Sequence, residues 1–343
     1  MPNASIQAAQ HLPPPKPTAW LFPALVLVAS LTATLYLWQI SSREVQHLAQ
    51  TQLNNHAKEI TGQILKRLQE NENILLGGNA LFSARGGALT RQEWHQYAAS
   101  LRLEINNPGV LGFGFSTWVP QALLADHLTA IRAEGFKEYA ITPPGERPFY
   151  TSIIWLEPFT EMNQKAFGYD MFAEPIRQAA MTRARDTGET SISGKVILVQ
   201  EGKQDIQNGI IMYVPSYRQG MPAGTVEQRQ AALRGFVYSP IRMDDFVHAA
   251  LINIPEHVAI AVYNGKEALP EQLLFSSQPP PQPSFPDENI PAFFTSRTIE
   301  AYGATWHLAF AGLPSFAQQF NPSRSLIILL IGMLASLLIS MVA

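Results

Sequence analysis

FGYDMFAEPIRQAAMTRARDTG, residues 167–188, is the stretch that decides the fold. Tyr169 and Phe172 flank Asp170 in a strand-like run. Pro175 suits the first turn of a helix, where a missing N–H costs nothing. From there apolar residues recur at Ile176, Ala179, Ala180 and Ala184, a helical stripe that leaves Arg177, Arg183 and Arg185 largely outside it. Asp186-Thr187-Gly188 closes the helix, with Gly188 free to take the left-handed conformation of a C-cap. The stretch therefore reads as strand, helix and stop, with two apolar strands behind it.

Those strands are SISGKVILVQ (191–200) and GIIMYVPSY (209–217), antiparallel across the polar turn EGKQDIQN (201–208). RGFVYSPI (234–241) is a further strand and MDDFVHAAL (243–251) a helix. Upstream, Thr90 and Glu93 form a capping-box pattern that opens a helix over TRQEWHQYAASLRLEIN (90–106), with Trp94, Tyr97, Ala98 and Leu101 inward. VLGFGFSTWVP (110–120) is rich in aromatic and β-branched residues and reads as a strand. A helix over Gln121–Glu134, a short strand over Glu138–Ile141, the turn PPGERP and the strand FYTSIIWLEP (149–158) lead back to the opening stretch. Strands clustered around few helices predict an α+β fold with helices packed on antiparallel sheet. From Pro255 a smaller sheet module follows: HVAIAVYNG, QLLFSS, the proline run QPPPQPSFP (278–286) and FFTSRTIEAYGATWHLAFAG.

Charge is distributed unevenly along the 343 residues. Trp20–Ile40 carries no charged residue and is long enough to cross a bilayer, with Trp20, Tyr36 and Trp38 near its ends. Ser325–Ala343 is a second uncharged run. The proline-rich lead before the first run, and the lack of a small-x-small cleavage pattern after it, favour an uncleaved anchor over a signal peptide. Lys16 is the only Lys or Arg ahead of the first span. An N-in, C-in arrangement of two spans puts residues 41–324 outside the cytoplasm. After the first span, Leu53, Ile60, Ile64, Leu68 and Leu75 recur at spacings of seven, four, four and seven, a heptad-like seam. It predicts a stalk helix that pairs with its twin and breaks at Gly77-Gly78. The alternative is an amphipathic helix packed on its own domain.

The net charge of −3 argues against a nucleic-acid binder. The absence of cysteine excludes disulfides, thiol catalysis and Cys-ligated zinc. Gly112 and Gly114 in GFGF lack the spacing of a phosphate loop and read as a bulge or a close backbone approach. The eight histidines show no metal-helix spacing, and the run around Ser116 lacks the second glycine of a nucleophile elbow. Glu157 and Asp170 are the carboxylates that would serve a hydrolase, against turn and cap roles for both. Phe149, Tyr150, Trp155, Tyr169, Met171, Met212 and Tyr213 lie on neighbouring strands with Arg177 and Lys195 nearby, which suits either a core or a small-molecule pocket.

The chain resembles the CHASE domain, the extracytoplasmic sensing module of histidine kinases, nucleotide cyclases and diguanylate cyclases. The resemblance covers roughly Ala80 to Val247. It is carried by NALFSARGGALTRQEWHQY, NPGVLGFGFSTWV, YTSIIWLEP with FGYDM, PIRQAAMTRARDTG, SGKVILVQ, GIIMYVPSY and LRGFVYSPI, in family order.

It implies an α+β fold: a long N-terminal stalk helix and two PAS-like antiparallel-sheet modules, flanked by two transmembrane helices. The boundaries expected are a cytoplasmic lead over 1–17, a transmembrane helix over 18–40 and a stalk over 41–79. A core with the distal, ligand-binding module follows over 80–252, a membrane-proximal module over 253–322 and a second transmembrane helix over 323–343. The implied ligand site comprises Tyr150, Trp155, Met171, Arg177, Val199 and Tyr213, with no catalytic residue, metal or cofactor. Plant members bind cytokinins through an acidic residue on the helix before the stop. Arg177 stands at or near that position here, and Tyr213 where the plant receptors carry a small hydroxyl residue. A guanidinium cannot accept a bond from a purine amine but pairs bidentately with a carboxylate or phosphate, so an anionic or carboxylate-bearing ligand is expected. Expected partners are the inner (plasma) membrane, a second copy through the stalk and a cytoplasmic kinase or cyclase effector, in cis or in trans. Rival readings are a membrane-anchored hydrolase and a dimeric anchor that binds nothing.

Overall fold

The computed structural model describes residues 21–201, 206–251, 257–278, 293–320 and 323–342. The expected lead over 1–17, the middle of the 201–208 turn, Pro255 and residues 279–286 of the proline run lie outside them. The elements in chain order are α1 (Leu21–Ala84), α2 (Arg91–Leu101), α3 (Leu103–Asn106), β1 (Phe113–Pro120), α4 (Leu124–Ala133), β2 (Phe149–Glu157), α5 (Glu161–Gln164) and α6 (Pro175–Thr187). Then come β3 (Ser191–Ile192), β4 (Val196–Ile197), β5 (Asn208–Tyr217), α7 (Val226–Ala232), β6 (Leu233–Arg242) and α8 (Met243–Ala250). Last are β7 (Val258–Asn264), β8 (Leu273–Ser276), β9 (Phe294–Ala301), β10 (Ala304–Gly312), α9 (Pro314–Gln318) and α10 (Ser323–Val342).

The chain divides into two compact units, one comprising residues up to Thr51 and from Pro314 onward, the other Gln52–Leu313. In the first unit the start of α1 and α10 are long and apolar enough to cross a membrane. They run antiparallel: the Ser340 hydroxyl donates to the Pro23 carbonyl at 3.1 Å, and the Ser41 and Ser325 hydroxyls lie 3.2 Å apart. Between these ends Gly332 abuts Thr34 so closely that a Cβ would sit 2.3 Å from the Thr34 methyl.

The second unit holds two antiparallel sheets, one ordered β2-β1-β6-β5-β3 with β4 also on β5, the other β8-β7-β10-β9. In the larger sheet Phe115 pairs with Val237 and Trp155, Ser116 with Phe236, and Tyr213 with Tyr238. Because side chains alternate along a strand, Phe115, Trp155 and Met212 face one side and Phe236, Tyr238 and Tyr213 the other. α1 covers the first side: Asn71 donates to Ser239 Oγ at 2.7 Å and to Met212 Sδ at 3.4 Å, and Phe82 packs on Phe115. α6 covers the second, with Ala180, Met181 and Ala184 in one core with Tyr213, Phe236 and Tyr238.

Several expectations need correction. Leu53, Ile60, Ile64, Leu68 and Leu75 are fully buried within the one chain, so the heptad-like seam of the stalk is spent on its own domain and not on a twin. α1 does not break at Gly77-Gly78. A Cβ on Gly77 would sit 2.3 Å from the Tyr97 hydroxyl and one on Gly78 2.2 Å from the Phe113 ring, so these glycines admit α2 and β1 against a continuous helix. Helix 90–106 splits at Arg102, which takes φ 49° between α2 and α3. Residues 138–141 form no strand; Thr142 alone bridges Tyr169, and Met171–Ala173 is a 3₁₀ turn where strand was expected. The buried stripe of α6 is Arg177, Ala180, Met181 and Ala184, shifted from the expected one, with Ile176 exposed. The run 293–312 is a hairpin, β9–β10, turning at Tyr302-Gly303, and α7 was not anticipated.

Candidate functional site

Local chemistry fixes the entry to α6. The buried Asp170 carboxylate accepts from the Thr151 amide and hydroxyl, from the Phe172 amide and, at 2.6 Å, from the Arg147 guanidinium. Four donors on one carboxylate make it a cap that ties β2 to the helix entry, the role weighed against catalysis. Glu174 is the N-cap of α6: its carboxylate accepts from the Ile176 and Arg177 amides, where the helix presents free N–H groups and a positive dipole end. Pro175 occupies the first turn and Gly188 ends the helix at φ 80°.

Arg177 points inward from the first turn and is only 4% exposed. Its guanidinium donates to the Ile197 carbonyl at 2.8 Å and to Glu174 at 3.3 Å, and lies 5.4 Å from the Tyr169 ring centre. Among the described residues its Nε–H is buried without a partner. Beside it runs an open groove of about 600 Å³, with Glu174, Arg177 and Lys195 on one wall and Asn264, Glu271 and Gln272, carried by the smaller sheet, on the other. Lys195 Nζ donates across it to the Glu271 carbonyl at 3.1 Å.

The six expected site residues divide by sheet face. Met171, Arg177 and Tyr213 come together, with Val199 packed at the edge of the same core. The Tyr213 hydroxyl donates to Met171 Sδ at 3.7 Å, and burial raises its pKa, so it stays protonated. Tyr213, Tyr238, Phe236 and Met181 occupy the space between sheet and α6, so the free volume near Arg177 lies on its outer side. Tyr150 and Trp155 belong to the opposite face. The Tyr150 hydroxyl is held by Gln121 at 2.7 Å and by the Gly145 carbonyl at 3.0 Å. Trp155 packs among Phe82, Trp94 and Phe115. The cause is a bulge: Phe115 pairs with Trp155 but Ser116 with Ile153, and the skipped Ile154 turns its carbonyl to Arg91 Nη1 at 2.7 Å.

The remaining motifs resolve as structure. A Cβ on Gly114 would meet the Tyr238 ring at 2.6 Å, a close approach inside a strand rather than a phosphate loop. Ser116 is fully buried. Among the described residues no cluster of His, Asp and Glu is placed to hold a metal ion. Glu157 lies on the α2 side of the sheet and pairs with His95 Nδ1 at 3.0 Å. His95 carries no motif in the sequence, and the signal for Glu174 is its place directly before Pro175.

A family model, the CHASE domain, matches residues 87–275, more than half of the chain. No curated protein matches it.

Proposed function

We propose, from the premise that this chain belongs to the CHASE domain family, that it senses a small carboxylate- or phosphate-bearing ligand through Arg177 outside the cytoplasm. CHASE domains are extracellular sensor domains of signalling receptors and not catalytic modules, and the two apolar helices fit membrane anchoring. The observation that carries the ligand class is Arg177 itself: a guanidinium withdrawn from water with an unpartnered N–H, on the wall of a groove that Lys195 also lines. The free Nε–H offers one charge-assisted hydrogen bond to a carboxylate or phosphate oxygen, and the guanidinium charge favours an anion there.

In this reading the larger sheet is the distal, PAS-like module and the smaller one the membrane-proximal module. The groove between them lets an occupant touch both, and the free energy it gains in one arrangement over another is the signal it can send. The apolar helices span the inner (plasma) membrane twice, and the second passes the change to a cytoplasmic kinase or cyclase, in cis or in trans. A homodimer contact falls to the outward stripe of α1, since the inward seam is covered by its own domain. The hydrolase reading loses support from Asp170, whose oxygens are occupied by four donors.

The test is a thermal-shift and calorimetric screen of the full chain in nanodiscs with succinate, citrate and phosphate. Binding at a hundred times Kd stabilises by about 2.7 kcal/mol. We expect one of these anions to stabilise the protein and Arg177→Ala to abolish the gain. Neutral adenines binding in place of the anions, with Arg177→Ala having no effect, would overturn the reading.

A further inference from the structure

The face of the larger sheet opposite Arg177 carries a second hollow. It runs between α2 and the edge strand β2 as two volumes of about 320 and 810 Å³ that meet at His95 and Glu157. The smaller part is walled by Ala98, Leu103 and Pro158, the larger by Trp155, Phe136 and Phe159. These dimensions suit a small organic molecule.

Glu157 at their junction is 8% exposed, and a carboxylate withdrawn from water that far needs a countercharge. Two other acids of this unit whose side chains are withdrawn from water have a fixed one. Asp170 holds Arg147 and three further donors, and Glu201 holds Arg242 Nε at 3.1 Å and the Gln207 amide at 2.6 Å. Glu157 has instead the imidazole of His95 at 3.0 Å, a neighbour that carries a charge only when protonated and whose side chain is 62% exposed. Arg91, which lines the larger part of the groove, donates to Glu134 through Nε at 2.9 Å and to the Ile154 carbonyl through Nη1 at 2.7 Å. Arg91 does show how these walls treat cations: it lies 4.5 Å from the Phe136 ring centre.

We propose that this groove binds an organic cation, an ammonium on an aromatic or aliphatic body. The ammonium displaces His95 from Glu157, and the body lies along Trp155, Phe136 and the apolar end of the groove. The site goes beyond the anion reading at Arg177: it has the opposite charge preference and lies across the sheet from it.

The experiment titrates the full chain in nanodiscs with 2-phenylethylammonium and, as a neutral control of the same shape, 2-phenylethanol. Readouts are calorimetry and tryptophan fluorescence. We expect saturable binding of the ammonium at least tenfold tighter than the alcohol. Glu157→Gln should erase that preference, and His95→Ala should tighten ammonium binding several-fold by removing the competitor. His95 is exposed, so its variant reports even if Glu157→Gln folds poorly. Equal affinity for ammonium and alcohol, or ammonium binding untouched by both groove variants, overturns the proposal. The anion reading stands or falls separately, on succinate, citrate and phosphate.

Discussion

His127 sits where burial decides a protonation state. Its Nε2 lies 2.8 Å from the Tyr139 hydroxyl, which in turn lies 2.6 Å from Ser152 Oγ on β2. Burial lowers the His127 pKa below 6.5 and pushes Tyr139 up to about 12, so both are neutral in the fold at pH 7. A histidine whose folded pKa is depressed stabilises fully above its unfolded pKa, and that share is lost as pH falls through the folded one. Burial shifts His307 on β10 the same way. The melting temperature should therefore fall as pH drops below about 6.5, and His127→Asn should flatten part of that slope. A slope identical in wild type and variant would show that His127 is not the titrating group. At this scale the chain was legible wherever the cause is local. Pro175, Gly188 and the Thr90–Glu93 box do what their positions imply. Arg177 was legible as a chemical type but not as a buried group, because its acceptor, the Ile197 carbonyl, lies 20 residues away.

Among elements, α1 shows what periodicity can and cannot say. Spacings of seven and four identify an apolar stripe on a helix, whereas the surface that covers the stripe is a tertiary fact. Here that surface is the chain's own domain, which reaches α1 through Asn71 with Ser239, Asn79 with the Pro215 carbonyl and Arg67 with the Pro108 carbonyl. Leu68, fully buried, separates the two cases. Leu68→Ala should cost about 2–5 kcal/mol in urea unfolding, the range for a core leucine. It should leave the oligomeric state seen by light scattering as it was. A dimer that dissociates while the protomer keeps its stability would restore the twin-stalk reading. The β9–β10 hairpin was equally opaque in sequence, though it joins the two sheets. The Tyr302 carbonyl accepts from the Ile192 amide at 2.9 Å, and Arg183 of α6 lies against Gly303 at φ 70° while donating to Ser191 and the Ile192 carbonyl. A change at α6 thus has a short mechanical route to the smaller sheet.

At the scale of the whole molecule, composition alone gave two apolar runs, and helix pairing adds what composition lacks. Contacts between Pro23 and Ser340, Thr34 and Gly332, and Ser41 and Ser325 order the two helices antiparallel, so Ser41 and Ser325 share one end of the pair. In lipid there is no hydrophobic gain from pairing apolar helices. Close approach at small residues and hydroxyl bonds must supply the attraction, which is what Gly332, Thr34 and the serines provide. Because the chain has no cysteine, the arrangement can be tested with one engineered pair. Ser41→Cys with Ser325→Cys in native membranes should oxidise to an intramolecular disulfide that migrates faster than the reduced chain. A membrane-impermeant maleimide should reach both thiols from the extracytoplasmic side if the proposed two-span topology holds. Gly332→Leu should cut the disulfide yield by prising the helices apart at Thr34 while leaving both thiols accessible from the same side. Labelling of one thiol from each side would refute the topology, and cross-links running only at twice the chain mass would refute the pairing within one chain.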